Sequence, residues 1–109
     1  MKKDKSLLTY NALKIENANM NINKQEILVR ICYTELVYER INKKLNINFS
    51  KKQIEEYIYE ILSETDKVFY LKKGKNFYIR NIEKRISITI NSNTYRVITV
   101  DLIPSGMSN

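Results

Sequence analysis

The chain has 109 residues, 43% hydrophobic and 28% charged, with one cysteine, no histidine, three Gly and Pro in total and a formal charge of +7. That composition suits one domain with a single modest core, excludes collagenous and linker-like classes and argues against disorder. A lone Cys32 excludes an intramolecular disulfide or a thiolate metal cluster. Without histidine, the commonest zinc ligand and general base are missing, so zinc and Cys–His enzymes are excluded as well.

In chain order, residues 1–22 are polar and Asn-rich, with one apolar cluster, Leu7, Leu8, Tyr10 and Leu13, at roughly helical spacing. They are expected to form an arm or a short docking helix. The basic start lacks the apolar core and cleavage site of a signal peptide. No apolar run approaches the roughly 18 residues that cross a bilayer, so a cytoplasmic protein without membrane contact is expected. Asn23 with Glu26 resembles a capping box and opens a helix from Lys24 to about Leu45. Its apolar stripe is Ile27, Leu28, Ile31, Cys32, Leu36, Ile41 and Leu45, which makes Cys32 an inert core thiol. Ser50 with Gln53 is a second capping box, opening a helix from Lys51 to about Ser63. It buries Ile54, Tyr57, Ile58, Ile61 and Leu62 and leaves Glu55, Glu56, Glu60 and Glu64 as a solvated face.

Alternation with period two then predicts strands at 67–72, 75–80, 85–91 and 94–103. Lys73-Gly74 is read as a tight turn, Asn81–Lys84 as a four-residue loop and Ser92-Asn93 as a two-residue turn. The expected fold class is α+β: two helices packed on one face of a four-stranded antiparallel β-meander. The domain spans 23–103, with a tail at 104–109. In this register Val68, Tyr70, Phe77, Ile79, Ile86, Ile88, Ile90, Tyr95 and Val97 face the helices. Phe69, Leu71, Asn76, Tyr78, Arg80, Arg85, Ser87, Thr89, Asn91, Thr94 and Arg96 face outward, without an acid among them. Beyond Arg96 the outward positions of the last strand are Ile98, Val100 and Leu102. That apolar run needs a cover, such as the Leu7–Leu13 segment, a second copy of the chain or a protein partner.

The charge is concentrated in this sheet. Between Lys67 and Arg96 lie eight basic residues (Lys67, Lys72, Lys73, Lys75, Arg80, Lys84, Arg85 and Arg96) and one acid, Glu83. The remaining residues carry eleven of each sign. Arg80 is expected opposite Arg85, and Lys72 opposite Lys75. Like charges in register cost some tenths of a kcal/mol per pair, roughly, and a bound anion removes that cost. Tyr78 and Phe69 are placed to stack on bases. Lys73-Gly74-Lys75-Asn76 is too poor in glycine for a P-loop but suits a phosphate-contact turn, and no cofactor is implied.

Lys72-Lys73-Gly74-Lys75-Asn76 with Tyr78, then Ile88–Asn91 and Thr94–Thr99, resembles a small bacterial family of unknown function from low-GC Gram-positive bacteria and their mobile elements. Ile31–Leu36 is similar to it too. More distantly, two helices before a four-stranded meander, with Thr94–Thr99 as closing strand, is similar to the barnase–EndoU–colicin–RelE ribonuclease group. That resemblance implies Arg80 and Arg96 on a scissile phosphate, Thr94 and Thr99 in support, and Tyr78 or Lys75 in proton transfer.

The function expected from these features is nucleic-acid binding, with RNA the leading partner, extending to a toxin-type ribonuclease encoded on a mobile element. Whether the chain is an enzyme stays open. The catalytic candidates are Tyr78, Lys75 and Arg96, and the binding candidates Lys72, Lys73, Arg80, Arg85, Asn91 and Thr94. The rival is a non-catalytic phage or mobile-element protein that inhibits a host protein such as a defence nuclease through the apolar Ile98–Leu102 edge and the acidic helix, or pairs with itself through that strand.

Overall fold

A computed structural model describes residues 22–104; the expected arm, apart from Ile22, and residues 105–109 of the expected tail lie outside the described residues. Helices α1 (Lys24–Arg30), α2 (Glu35–Leu45) and α3 (Lys51–Glu64) precede a 3₁₀ turn at Lys67–Phe69. Strands β1 (Tyr70–Lys73), β2 (Asn76–Asn81), β3 (Ile86–Asn91) and β4 (Val97–Leu102) follow. They pair antiparallel in the order β1-β2-β3-β4. The α+β meander is as expected, but the described residues contain three α-helices, not two.

The single helix expected over 24–45 is broken because its middle is needed as a strand. Ile31 leaves the helical region at φ −54 and ψ 137. Cys32 N–H donates to Tyr95 O, and Val97 N–H to Cys32 O, both at 2.9 Å. This parallel bridge to the start of β4 uses backbone groups that a continuous helix would spend internally. Thr34 restarts the chain as N-cap of α2, and the restart shifts the phase. Val37, Ile41 and Leu45 take the buried stripe, whereas Leu36 is 75% exposed and Cys32 is a surface thiol. The first cap is as expected, with Asn23 Oδ1 accepting from Glu26 N–H.

Helix α3 keeps its expected form. Ser50 Oγ accepts from Gln53 N–H, Gln53 Oε1 accepts from Ser50 N–H, and Ile54, Ile58, Ile61 and Leu62 are buried. Its last turn is the junction of the molecule. Tyr70 Oη donates to Leu62 O at 2.7 Å, and Lys24 Nζ donates to Ser63 O and Thr65 O. Thr65 Oγ1 donates to Ile61 O and accepts from Asn81 Nδ2, while Asn81 Oδ1 accepts from Lys84 N–H. Buried polar groups need partners, and here the ends of a helix and a strand supply them to each other.

In the first two hairpins the turn lies one residue further along than expected, so each pairing is shifted by two residues and the faces are kept. The β1–β2 turn is Gly74-Lys75, with Gly74 at φ 62, as a two-residue hairpin with glycine first requires. The β2–β3 loop is 82–85, with Arg85 left-handed at φ 55. Lys72 therefore faces Phe77 and Arg80 faces Ser87, so neither expected like-charge pair forms. Val68 and Phe69 belong to the 3₁₀ turn, and Val68, expected in the core, is 48% exposed.

The largest change is in β4. The β3–β4 connection is a four-residue loop, 92–95, in which Asn91 N–H donates to Arg96 O. Ile90 then pairs with Val97 and Thr89 with Thr99, leaving Ile98 as a bulge. One extra residue inverts everything beyond it. Val100 is fully buried opposite Ile88, while Thr99 and Asp101 take the open side. The continuous apolar run expected on that side does not exist.

Burial holds the Tyr70 phenol above its ordinary pKa of 10.0. A raised pKa means that the protonated phenol's contribution is complete below pH 10 and is lost as pH climbs through the higher folded value. Tyr70→Phe leaves Leu62 O without this donor and should cost about 1–2 kcal/mol at pH 7 in urea unfolding. Above pH 10 the wild type should lose stability faster than the variant, narrowing the difference.

Candidate nucleic-acid interface

The helices cover the face carrying Tyr70, Phe77, Ile79, Ile86, Ile88, Ile90, Val97 and Val100, which are all buried. The other face is open, and register arranges it in three rows. Nearest the turns run Lys73, Asn76, Asn91 and Arg96, with Cys32 beyond on the bridging segment. Next come Leu71, Tyr78, Thr89 and Thr99, and then Arg80, Ser87 and Asp101. At ~4.8 Å between strands, Lys73 and Arg96 stand ~14 Å apart at the ends of the first row, with two carboxamides between them.

The turn end is locally organised by Asn91. Its Oδ1 accepts from the N–H groups of Asn93 and Thr94, both at 2.8 Å. Thr94 Oγ1 accepts from Arg96 N–H. Ser92 donates through both N–H and Oγ to Lys75 O, lashing the two turns together. Tyr95 adopts φ 62, an uncommon conformation for a bulky residue. Arg30 lies 4.4 Å over its ring, and Phe77 is packed beside it, so Tyr95 points to the helix side while Arg96 takes the open one.

The expected site residues thus separate into groups. Lys73, Lys75 and Arg96 gather at the turn end, and among the described residues none is bridged to a carboxylate. Lys72 lies on the core-side register, and its Nζ donates to Gly74 O. Asn91 and Thr94 are committed to the turn. Tyr78 stands one row inward, about one-third exposed, with its Oη accepting from Asn76 Nδ2 at 3.3 Å. Arg80 shares the open face two rows from Arg96. Arg85 sits off the ladder at the far loop, ~20 Å away along the strands. Arg80 and Arg96 thus share the open side of the sheet, while Arg85, expected in the strand, lies in the loop before it.

The far end is also mixed in sign. Glu64, Asp66 and Glu83 line one hollow with Arg80. Lys84 pairs with Glu64 at 3.4 Å. Partial desolvation pulls its ammonium down, but the neighbouring carboxylate outweighs this and holds it above the ordinary lysine value. An acid absent from the expected open face is present on it: Asp101, bridged at 2.5 Å to Lys44 of α2. Thr99 is the other arrival. Only the bulge brings these two out, and the Asn91–Thr94 cluster of turn-forming residues was the sequence signal for a longer loop.

Among the described residues no three His, Cys, Asp or Glu side chains gather as metal ligands, and no helix is long and apolar enough to cross a membrane. The turn end offers ammonium, guanidinium, amide and hydroxyl donors to an anion. A family model described as a protein of unknown function (DUF3781) matches residues 25–101, from α1 to β4. The chain belongs to this family. No curated protein matches it. No solved structure does either. The description of the family assigns it no activity.

Asn91→Ala should remove the acceptor for two turn N–H groups, lowering stability by about 1 kcal/mol in denaturant titration. Asn91→Asp keeps that acceptor and should unfold close to the wild-type midpoint.

Proposed function

We propose that this domain binds RNA on the open face of its sheet, with the turn end as the phosphate-contact region. The observation that carries the proposal is Lys73 and Arg96 in the open-face row nearest the turns, with Lys75 in the adjoining turn, all unbridged to carboxylates among the described residues. Mutual repulsion there is modest, since unit charges ~10 Å apart in water interact by about 0.4 kcal/mol before salt screening. The gain comes from charge-assisted hydrogen bonds to phosphate and from counterions that the nucleic acid releases. Tyr78 in the adjoining row adds an exposed aromatic ring, the element on which single-stranded platforms stack bases.

Cleavage extends this proposal. Lys75 and Arg96 would neutralise a phosphodiester, and Tyr78, whose oxygen already accepts from Asn76, would be the proton donor. In the protein-partner alternative the contact would fall to the exposed Ile98 and Leu102 and to the acidic face of α3, since Val100 between them is in the core.

In fluorescence anisotropy at low salt, Lys73→Ala/Lys75→Ala/Arg96→Ala should lose most RNA affinity while keeping its melting temperature. The salt slope should fall by about 2, at roughly 0.7 per neutralised phosphate for single strands. Wild-type affinity that ignores both salt and the triple substitution would refute the proposal. Loss of RNA integrity with wild type but not with Tyr78→Phe, read on a gel, would mark the domain as a ribonuclease; intact RNA in both would mark it as a binder.

A further inference from the structure

Beside the second and third rows lies an open groove of about 320 Å³, lined by Tyr78, Arg80, Ser87, Thr89, Ile103 and Pro104 among others. One flank carries the Tyr78 ring. The opposite flank is the chain leaving β4, held by Ile103 N–H donating to Arg85 O at 2.8 Å. Ser87 and Thr89 present hydroxyls between them, and Arg80 brings a cation to the third row. Apolar flanks with a polar floor suit a flat heteroaromatic ring whose faces are apolar and whose edges carry donors and acceptors.

The groove is open along its length, so it would bury little of a free small ligand, whereas small-molecule sites enclose most of theirs. A tethered ring is a different case. If phosphates are anchored at Lys73, Lys75 and Arg96, the groove lies only one to two rows away, ~7–13 Å along the strands. Tethering raises the local concentration of the ring, so weak contacts suffice. A duplex cannot use the groove, because its bases are stacked and paired.

We infer that the open face takes single-stranded RNA with one base unstacked into the groove between Tyr78 and the Ile103–Pro104 segment. This deepens the RNA proposal and rests on it. The groove supplies base contacts, and the turn end supplies backbone contacts.

The test uses the full chain and three fluorescein-labelled RNAs in anisotropy: an eight-nucleotide oligouridine, the same oligomer with abasic riboses, and a short hairpin duplex. The intact single strand should bind about tenfold more tightly than either of the others, in line with one stacked base. Tyr78→Ala should weaken the intact strand by a similar factor and leave the abasic strand unchanged. Thr89→Val, which keeps a β-branched residue in the strand, should act in the same direction and carries the test if Tyr78→Ala fails to fold. Equal binding of intact and abasic strands, with both substitutions affecting them alike, would overturn the base groove while leaving the backbone-contact proposal standing. No binding of any of the three RNAs at low salt would overturn both.

Discussion

The last turn of α3 is the constraint on which the arrangement depends. A helix ends with carbonyls that have no intrahelical donor, and in a buried position each must find one. Here they are met by Thr65, by Tyr70 at the start of β1 and by Lys24 from α1, with Asn81 at the end of β2 bonded to Thr65 in turn. One helix end is thereby tied to the first helix and the first two strands. The helix layer cannot slide over the sheet without leaving buried polar groups unsatisfied, which costs far more than an exposed hydrogen bond gains.

A second constraint, at the opposite end, sets the chemistry of the open face. Asn91 holds the β3–β4 loop, the bulge at Ile98 turns β4 by one residue, and the Ile31–Cys32 segment pairs beyond it as a short fifth rail. Arg96 is placed by this assembly rather than by simple alternation through the turn. The same bulge withdraws Val100 from the surface and brings out Asp101, whose charge is answered by Lys44. One inserted residue thus exchanges an apolar strip for a polar one.

Together these constraints give the molecule an electrical direction. The exposed side of α3 carries Glu55, Glu56, Glu60 and Glu64, and the far loop mixes Glu83 with Lys84 and Arg85. Glu55 accepts from Tyr38 of α2 at 2.6 Å and Glu64 pairs with Lys84, so part of the acidic row joins elements rather than only meeting water. Among the described residues, Lys73, Lys75 and Arg96 at the two lashed turns are bridged to no carboxylate. The pull of such charges on any polyanion would fall with ionic strength.

Most of the core was legible in the sequence because burial has a period. The 3.6-residue pattern of Ile54, Ile58, Ile61 and Leu62 and the two-residue pattern from Phe77 to Ile90 each admit one orientation. The Ser50–Gln53 box and the Asn23 cap mark helix starts through contacts only three residues apart. These are local facts, and they determined the α+β class, the meander and the identity of the open face. Tertiary structure alone decided the break at Ile31, the bulge at Ile98 and the departure of Arg85 from its strand. Each depends on a partner distant in the chain: Cys32 leaves the helix because Tyr95 and Val97 offer backbone bonds, and Val100 turns inward because Ile88 is there to receive it. Periodicity records which side of an element is apolar, but a one-residue insertion is settled by whichever register satisfies the most backbone groups across the whole sheet.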